Sequence, residues 1–448
     1  MKLEGFKENT KKKIIVISFT VLCLLLIAGV YLYTSYAFYE ETKNFNVING
    51  TVEDPGDLYF AYYVDGKISR TMPSKNTGYT LDTTKSSCDN GVTVDWDYSK
   101  WKANIYYENY SATDKTRTKC TLFFNKTAKT VKTALGNIEV NSYKPDLTKS
   151  ACDTSNCESH EKGIFETTDA DGTSYYYRGA VENNYLKFAG YFWRVVRING
   201  NGSIRIIYDG TSAHANGESS ADRQYGTSQF NTNYNNNMYV GYMYTSGEAH
   251  GTGTSSAIKT NADKFYTDKL SSYASKLDTN AGFCGDRSNL NQQSGVGTGT
   301  VITYNKGYLR VEESAPTLTC ENASDYYTVA SASSGNKKLS YPIGLITADE
   351  MMLAGHAGGV FDGSYNHMKS NNGSYLVTGN SFWTMTPAGG YNPFGGTGWL
   401  ALVFYVGASG LVDDTYVGIT FGLRPVVNLK SGVKITGSGT KTNPYVVS

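Results

Sequence analysis

The feature that most constrains this chain is a run of twenty residues without a charged side chain, Ile14 to Tyr33. With a helical rise of about 1.5 Å per residue, such a run spans roughly 30 Å, the thickness of one hydrocarbon core. Residues 11–13, all lysine, directly precede it. The positive-inside rule then places the N-terminus in the cytoplasm. We therefore expect a cytoplasmic tail (1–13), a single-pass signal-anchor helix (14–33), and all following residues outside the cell.

A cleaved signal peptide is the alternative for the same segment. Ser35-Tyr36-Ala37 is an acceptable cleavage site, although the apolar run is long for a signal peptide. Cleavage after Ala37 would give a secreted protein. Both alternatives place the remaining chain in an extracellular environment.

The cysteines agree with that environment. Six follow Cys23, and an even number outside the cytoplasm suits disulfides. Many pairings are possible, but the spacing favours neighbours, which are Cys88 with Cys120, Cys152 with Cys157, and Cys284 with Cys320. Zinc binding is the alternative for the close pair at 152 and 157, but four ligands would require a second pair or a histidine cluster. We expect disulfides and no metal.

Charge and composition limit the kinds of partner. The 448 residues carry a net charge of +1, and five Lys and two Glu put +3 in the first thirteen residues, which leaves −2 for the rest. A near-neutral body does not suit a nucleic-acid partner. With 37 Tyr and 47 Gly against 5 His, the chain resembles adaptable recognition surfaces more than acid–base catalysts.

The extracellular part is expected to hold two domains. After a stalk (34–55), the Tyr-rich run Leu58–Val64, the alternating runs Val92–Trp96 and Cys120–Phe124, and the turn Asp65-Gly66 predict strands of a small all-β, Ig-like domain over 56–127.

Residues 128–160 are predicted to be a polar linker with a short helix at 128–135, and residues 161–448 a larger head. In the head, Asn199-Gly200-Asn201-Gly202 separates two apolar runs and predicts a hairpin. A helix is expected over 261–277. Another is expected to begin at Thr347, where Thr347-x-x-Glu350 matches a capping box.

Four stretches of the head carry a family resemblance: Lys187–Asp209, Tyr341–Gly355, Phe382–Pro387 and Gly422–Leu429. They resemble membrane-anchored surface proteins of Gram-positive and gut bacteria. The resemblance implies an α+β, C-type-lectin-like head with a loop-rich antiparallel sheet and two helices. Formylglycine-generating-enzyme-like proteins and the variable proteins diversified by retroelements have such heads.

The resemblance also implies a ligand-facing segment between Pro387 and Gly422. In retroelement-diversified proteins the corresponding segment displays variable side chains on a fixed scaffold. Aromatic side chains give large contact areas at low entropic cost. An ordinary lectin-like core, with Phe404 and Tyr405 buried, is the alternative. The predicted ligand-binding residues are Tyr391, Asn392, Phe394, Phe404, Tyr405, Asp413, Asp414 and Tyr416.

The sequence does not favour an enzyme. Formylglycine-generating enzymes hold copper with C-terminal cysteines, but no cysteine follows Cys320. The histidines show no metal-ligand spacing, and His356 is expected to be a solvent-exposed loop residue. Asp413-Asp414 and Asp169-x-Asp171 could offer oxygen ligands to calcium, but we expect turn residues. Arg424 is expected to form a structural salt bridge or to hold carbonyl groups.

The sequence therefore predicts a non-enzymatic, cell-surface adhesion protein with no cofactor, which binds an extracellular glycan or protein. The alternatives are a structural protein of a cell-envelope array and an unrecognised extracellular hydrolase.

Overall fold

The architecture is given by a computed structural model. It describes residues 58–74, 79–97, 100–107, 118–126, 129–141, 144–151, 162–290, 303–358, 373–391 and 400–448. The chain divides into two compact units, one with the strands between residues 58 and 126 and one with those from residue 129 onward.

The first unit is all β. A five-stranded sheet has the order β2-β1-β7-β3, with β4 also paired to β7, and β5 and β6 form a separate hairpin. Its core packs Trp96 against Phe124, with ring centroids 5.2 Å apart. The strands are β1 (Leu58–Val64), β2 (Lys67–Ser69), β3 (Tyr79–Leu81), β4 (Ser87–Cys88), β5 (Thr93–Asp97), β6 (Lys102–Tyr106) and β7 (Thr118–Lys126).

The second unit contains a large sheet and a six-stranded sheet around one large core, and a smaller separate cluster packs Phe165, Tyr176 and Leu353 together. Its strands are β8 (Lys129–Thr133), β9 (Gly136–Val140), β10 (Gly163–Asp169), β11 (Gly172–Arg178), β12 (Tyr185–Phe188), β13 (Tyr191–Ile198), β14 (Ile204–Gly210), β15 (Thr227–Gln229), β16 (Met243–Tyr244), β17 (Thr254–Ser255), β18 (Phe283–Cys284), β19 (Thr303–Tyr304), β20 (Tyr326–Tyr327), β21 (Phe382–Tyr391), β22 (Leu400–Val406), β23 (Val412–Tyr416), β24 (Thr420–Gly422), β25 (Val426–Leu429), β26 (Ile435–Thr436) and β27 (Tyr445–Val447).

The large sheet forms around the predicted hairpin. Its order is β10-β11-β13-β12-β27-β26, and β14 pairs with both β13 and β25. Ile198 lies opposite Ile204, so the Asn-Gly repeat turns the chain as expected. The six-stranded sheet has the order β15-β24-β21-β22-β23, with β19 on β21, which leaves β23 as an edge strand.

The helices are short. They are α1 (Ala257–Phe265), α2 (Lys306–Glu312) and α3 (Ala348–Leu353). A π-helical segment (Tyr266–Leu270) and a 3₁₀ segment (Ser271–Lys276) continue α1. Further 3₁₀ turns are Ala221–Arg223, Asn237–Val240 and Ala323–Asp325. The capping box is confirmed: the Thr347 hydroxyl accepts from the Glu350 amide, and the Glu350 carboxylate accepts from the Thr347 amide.

The predicted α+β class is wrong. The protein is mostly β, with 40% strand and 13% helix, and the described residues contain three α-helices of six to nine residues. Helices this short gain little from propensity, whereas β-branched and aromatic residues fill the sheets.

The predicted membrane helix receives no support. Within the described ranges, no helix is long and apolar enough to cross a bilayer. Residues 14–33 lie outside those ranges.

The predicted helix at 128–135 is also wrong. Residues 129–140 form the hairpin β8–β9, in which Val131 pairs with Ile138. Thr130, Val131 and Thr133 favour a strand over a helix. Gly136 has φ of 94°, a left-handed conformation that suits the turn.

Two of the expected disulfides are present, Cys88–Cys120 and Cys284–Cys320. The first joins residues that lie directly opposite each other on β4 and β7. The pair Cys152 and Cys157 lies outside the described residues. The two disulfides indicate an oxidising environment.

Candidate functional site

Most of the predicted ligand residues fall on the edge hairpin β22–β23. A tight turn joins the two strands, in which the Gly407 amide donates to the Leu411 carbonyl at 2.7 Å. Gly410 has φ of 79° in this turn, a conformation that glycine adopts without strain. The register places Tyr405 opposite Asp413 and Phe404 opposite Asp414. The hairpin therefore determines the positions of the predicted ligand residues that lie on β22 and β23.

The two faces of this hairpin separate the predicted residues. Successive side chains of a strand lie on opposite faces of the sheet. Asp413 therefore shares a face with Tyr405, whereas Asp414 and Tyr416 share the other. The predicted residues do not form one continuous patch.

The first face carries an aromatic stack beside a carboxylate. The rings of Tyr405 and Phe421 are stacked, with centroids 4.6 Å apart and both side chains partly buried. Trp383 lies opposite Tyr405 on β21 and is fully buried, and its indole N–H donates to the Ser228 carbonyl at 2.9 Å. Burial raises the pKa of Tyr405, and the Asp413 and Asp414 carboxylates raise it further. The Tyr405 hydroxyl therefore stays protonated at neutral pH.

The second face carries what we call the tyrosine face, defined by Tyr304, Tyr308, Asp414 and Tyr416. The rings of Tyr304 and Tyr308 are 4.7 Å apart. Burial raises the pKa of Tyr308, and the nearby charges of Glu312, Asp414 and Asp413 raise it further. Tyr304 is 38% exposed and Tyr416 is 44% exposed. The tyrosine face thus combines accessible aromatic surface, phenolic hydroxyls and a partly buried carboxylate.

Other predicted ligand residues are placed differently. Phe404 is fully buried and lies 6.5 Å from the Tyr308 ring, so it is a core residue that supports the tyrosine face. Tyr391 is the last residue of β21. Asn392 and Phe394 lie outside the described residues.

Sequence reasoning missed Tyr304, Tyr308 and Phe421. Tyr304 comes to the site because β19 pairs with β21, where Tyr304 lies opposite Gly389. Tyr308 follows on α2. Nothing in the local sequence around residues 303–308 indicates this pairing. The tyrosine count was the available signal, but it does not select individual residues.

A different arrangement surrounds Asp209, which is 1% exposed. Its Oδ1 accepts from the guanidinium groups of Arg223 (2.8 and 2.9 Å) and Arg424 (3.0 Å). Arg194 Nη1 lies 4.0 Å from Oδ2. Arg424 also donates to the Tyr208 carbonyl. We call Asp209 with these three arginines the arginine core.

The pKa of Arg424 shows the effect of burying charged groups in the arginine core. Burial lowers the pKa of Arg424 to about 9, although Asp209 opposes that shift. The structure therefore agrees with the expectation that Arg424 forms a salt bridge and holds carbonyl groups.

A second buried cluster surrounds Glu350. Its carboxylate pairs with Arg197 at 3.0 Å and with Arg205 while it caps α3. Burial alone would raise the pKa of Glu350, but the two guanidinium groups outweigh it and the pKa is lowered. The adjoining cavity of about 20 Å³ holds roughly one water molecule. The cluster is therefore suited to a structural role.

The expectation for His356 is wrong, because this histidine is fully buried. Its Nδ1 lies 2.9 Å from the Gly410 carbonyl, and Nε2 has no hydrogen-bond partner among the residues that the structure describes. Burial lowers the pKa of His356 to about 4, against the effect of the Gly410 hydrogen bond. His356 is thus a neutral core residue at physiological pH.

The aspartates considered as calcium ligands either pair with other groups or lie within a strand. Asp169 Oδ2 pairs with Arg197 at 3.0 Å and accepts from the Gly200 amide at 2.9 Å. Asp413 and Asp414 lie within β23 rather than in a turn. Across the described ranges, no group of three or more His, Cys, Asp or Glu residues is placed to hold a metal.

Comparisons with protein-family models, with curated proteins and with solved structures found no match. The resemblance to diversified surface proteins therefore stays a prediction.

Proposed function

We propose that this protein is a non-enzymatic binding protein that contacts a glycan or protein ligand outside the cell through the tyrosine face. The observation that carries the proposal is the position of exposed Tyr304 and Tyr416 on the same sheet face as Asp414. Tyrosine gives a large amphipathic contact with few rotatable bonds, so little entropy is lost on binding. The Asp414 carboxylate can accept hydrogen bonds from hydroxyl or ammonium groups.

The packing of the hairpin and a disulfide favour a preformed binding site at the tyrosine face. Phe404 and Val406 of β22 are fully buried, so the hairpin itself is packed into the core. The Cys284–Cys320 disulfide closes the chain segment that carries Tyr304 and Tyr308. A rigid site loses less entropy on binding than one that must order.

The buried carboxylates support binding rather than catalysis. Asp209 and Glu350 are both held by arginines. The two guanidinium groups beside Glu350 lower the pKa of its carboxyl, so Glu350 is poorly suited to donate a proton near neutral pH. The disulfides support the extracellular location.

The test compares two pairs of substitutions at exposed tyrosines. The double variant Tyr304→Ala/Tyr416→Ala removes the tyrosine face. The control Tyr106→Ala/Tyr273→Ala removes side chains that are 43% and 39% exposed elsewhere. Full-length protein in nonionic detergent is applied to a glycan microarray and to an array of extracellular proteins.

We expect saturable binding to at least one arrayed molecule, a loss of about tenfold or more for the tyrosine-face variant, and no change for the control. Equal binding by both double variants would place the binding surface elsewhere. Turnover of an arrayed glycan would instead make the protein a hydrolase.

A further inference from the structure

A separate groove lies between two segments of the second unit, residues 275–280 and 430–434. The Lys430 amide donates to the Lys276 carbonyl, and the Asp278 amide donates to the Asn428 carbonyl, at 2.9 and 2.8 Å. Leu277 is fully buried beneath the groove. The two segments are therefore held side by side by the main chain, and the cavity between them measures about 690 Å³. This volume is in the range of small-molecule and oligomer sites.

The charge of the groove is positive. Lys276, Lys430 and Lys434 line it, and Asp278 is the one acidic residue in the described lining. Asp278 Oδ1 already accepts from the amides of Asn280 (2.7 Å) and Ala281 (2.9 Å). The lining thus carries a formal charge of +2 on a chain whose extracellular part is slightly acidic.

The lysines can still donate to a ligand. Lys430 Nζ donates to the Ser275 carbonyl at 2.9 Å, and Lys276 Nζ donates to the Ser448 carbonyl. An ammonium group has three N–H donors. Each of these two lysines therefore keeps donors beyond its main-chain bond, and that bond limits where the ammonium group lies.

The remaining lining residues indicate the kind of anion. They are neutral hydrogen-bonding side chains with a single aliphatic one, namely Ser275, Thr279, Asn280, Ser431 and Val433, besides Gly432. Hydroxyl and amide groups suit a ligand rich in hydroxyl groups. The described lining has no aromatic side chain on which bases could stack.

We propose that this groove binds an acidic polysaccharide, with the three lysines on its carboxylate or sulfate groups and the neutral side chains on its hydroxyls. The groove shares no residue with the tyrosine face, so the proposal does not depend on the function proposed above. It assigns a second binding site to the same unit.

The test uses a size-defined hyaluronan octasaccharide and a heparin octasaccharide, which separate carboxylate from mixed sulfate chemistry. A neutral maltooctaose and a short poly-glutamate serve as comparison ligands. Affinity for the full-length protein is measured by fluorescence anisotropy at 50 and 200 mM NaCl. Two groove variants are used: Lys430→Glu/Lys434→Glu reverses charge, and Gly432→Phe adds bulk where a Cβ meets no atom within 4 Å.

The control is Lys338→Glu/Lys441→Glu, which makes the same change of charge at exposed or partly exposed lysines outside the lining. We expect at least one acidic octasaccharide to bind, with roughly tenfold weaker binding in each groove variant and at the higher salt. The control should bind like the wild type.

Three results would overturn the proposal. They are no binding of either acidic octasaccharide, equal losses in the groove and control variants, and binding of maltooctaose or poly-glutamate as tight as that of the acidic glycans. Circular dichroism on each variant verifies that a loss of binding is not a loss of fold.

Discussion

The arginine core and the tyrosine face each place large side chains around one aspartate, but the two aspartates differ in burial and in their neighbours. Asp209 is 1% exposed and Arg223 and Arg424 both donate to it. Asp414 is partly buried at a sheet edge, beside aromatic rings. The first arrangement uses its charge to hold distant segments of the chain together. The second presents its charge at a surface.

Burial of the charged partners therefore distinguishes Asp209, which has a structural role, from Asp414, for which we propose contact with a ligand. Removing one member of a buried ion pair leaves an uncompensated charge, which costs several kcal/mol. A partly exposed carboxylate remains hydrated, so its loss has a small effect on folding. Substitutions should therefore separate the two regions by their effect on stability.

The largest expected effect is that of Asp209→Asn. It leaves three buried guanidinium groups without their carboxylate, and the free energy of unfolding should fall by about 3–5 kcal/mol. The matched variant Asp414→Asn should change it by less than about 1 kcal/mol. Urea denaturation followed by tryptophan fluorescence measures both values. Similar losses in the two variants would remove the distinction between the regions.

A slightly smaller effect is expected from removing the disulfide whose loop contains Tyr304 and Tyr308. Cys284→Ser/Cys320→Ser opens a loop with a sequence separation of 36. The unfolded chain then gains entropy, and stability should fall by roughly 3–4 kcal/mol. Hydrogen exchange should show faster exchange in α2, which carries Tyr308. Unchanged exchange in α2 would mean that the disulfide does not support the tyrosine face.

The next effect is a pH dependence from His356. Its folded pKa is about 4, against about 6.5 in an unfolded chain. Between these values the unfolded chain binds more protons. The contribution of neutral His356 to the free energy of unfolding is therefore fully present above pH 6.5. It is lost as the pH falls to 4, for a total of about 3 kcal/mol.

Thermal unfolding between pH 4 and pH 7 measures this dependence, with His356→Asn as the control. An asparagine amide can still donate toward the Gly410 carbonyl but does not titrate. If the variant keeps the full slope of the wild type, His356 is not its source.

The smallest expected effect is that of Tyr416→Ala. This side chain is 44% exposed at the end of an edge strand. The free energy of unfolding should change by no more than about 0.5 kcal/mol. A loss above 2 kcal/mol in urea denaturation would show that Tyr416 packs as a core residue.

Local signals in the sequence predict several elements correctly. The alternating and turn-bounded runs give β1 and the β13–β14 hairpin, and the cap at Thr347 gives the start of α3. The spacing of the cysteines gives two disulfides. Each of these depends on neighbours in sequence or on a short list of possible partners.

The other features depend on contacts between distant residues. His356 is fully buried, and its hydrogen-bond partner Gly410 is 54 residues away in sequence. Asp209 and Arg424 are 215 residues apart. The pairing of β19 with β21 brings Tyr304 to the candidate site. Local patterns do not reveal these pairings. The sequence therefore indicated a salt bridge for Arg424 but not its partner Asp209, and it indicated Asp414 and Tyr416 but not Tyr304.

The difference between the arginine core and the tyrosine face is tested most directly by a saturation mutagenesis scan of the full chain. Each variant is scored by the resistance of the displayed protein to protease. We predict strong loss of resistance for most substitutions at Asp209, Arg223, Arg424 and Glu350, and near wild-type resistance for most at Tyr304, Asp414 and Tyr416. Equal intolerance in both groups would contradict the account, because the tyrosine face would then be part of the folded core.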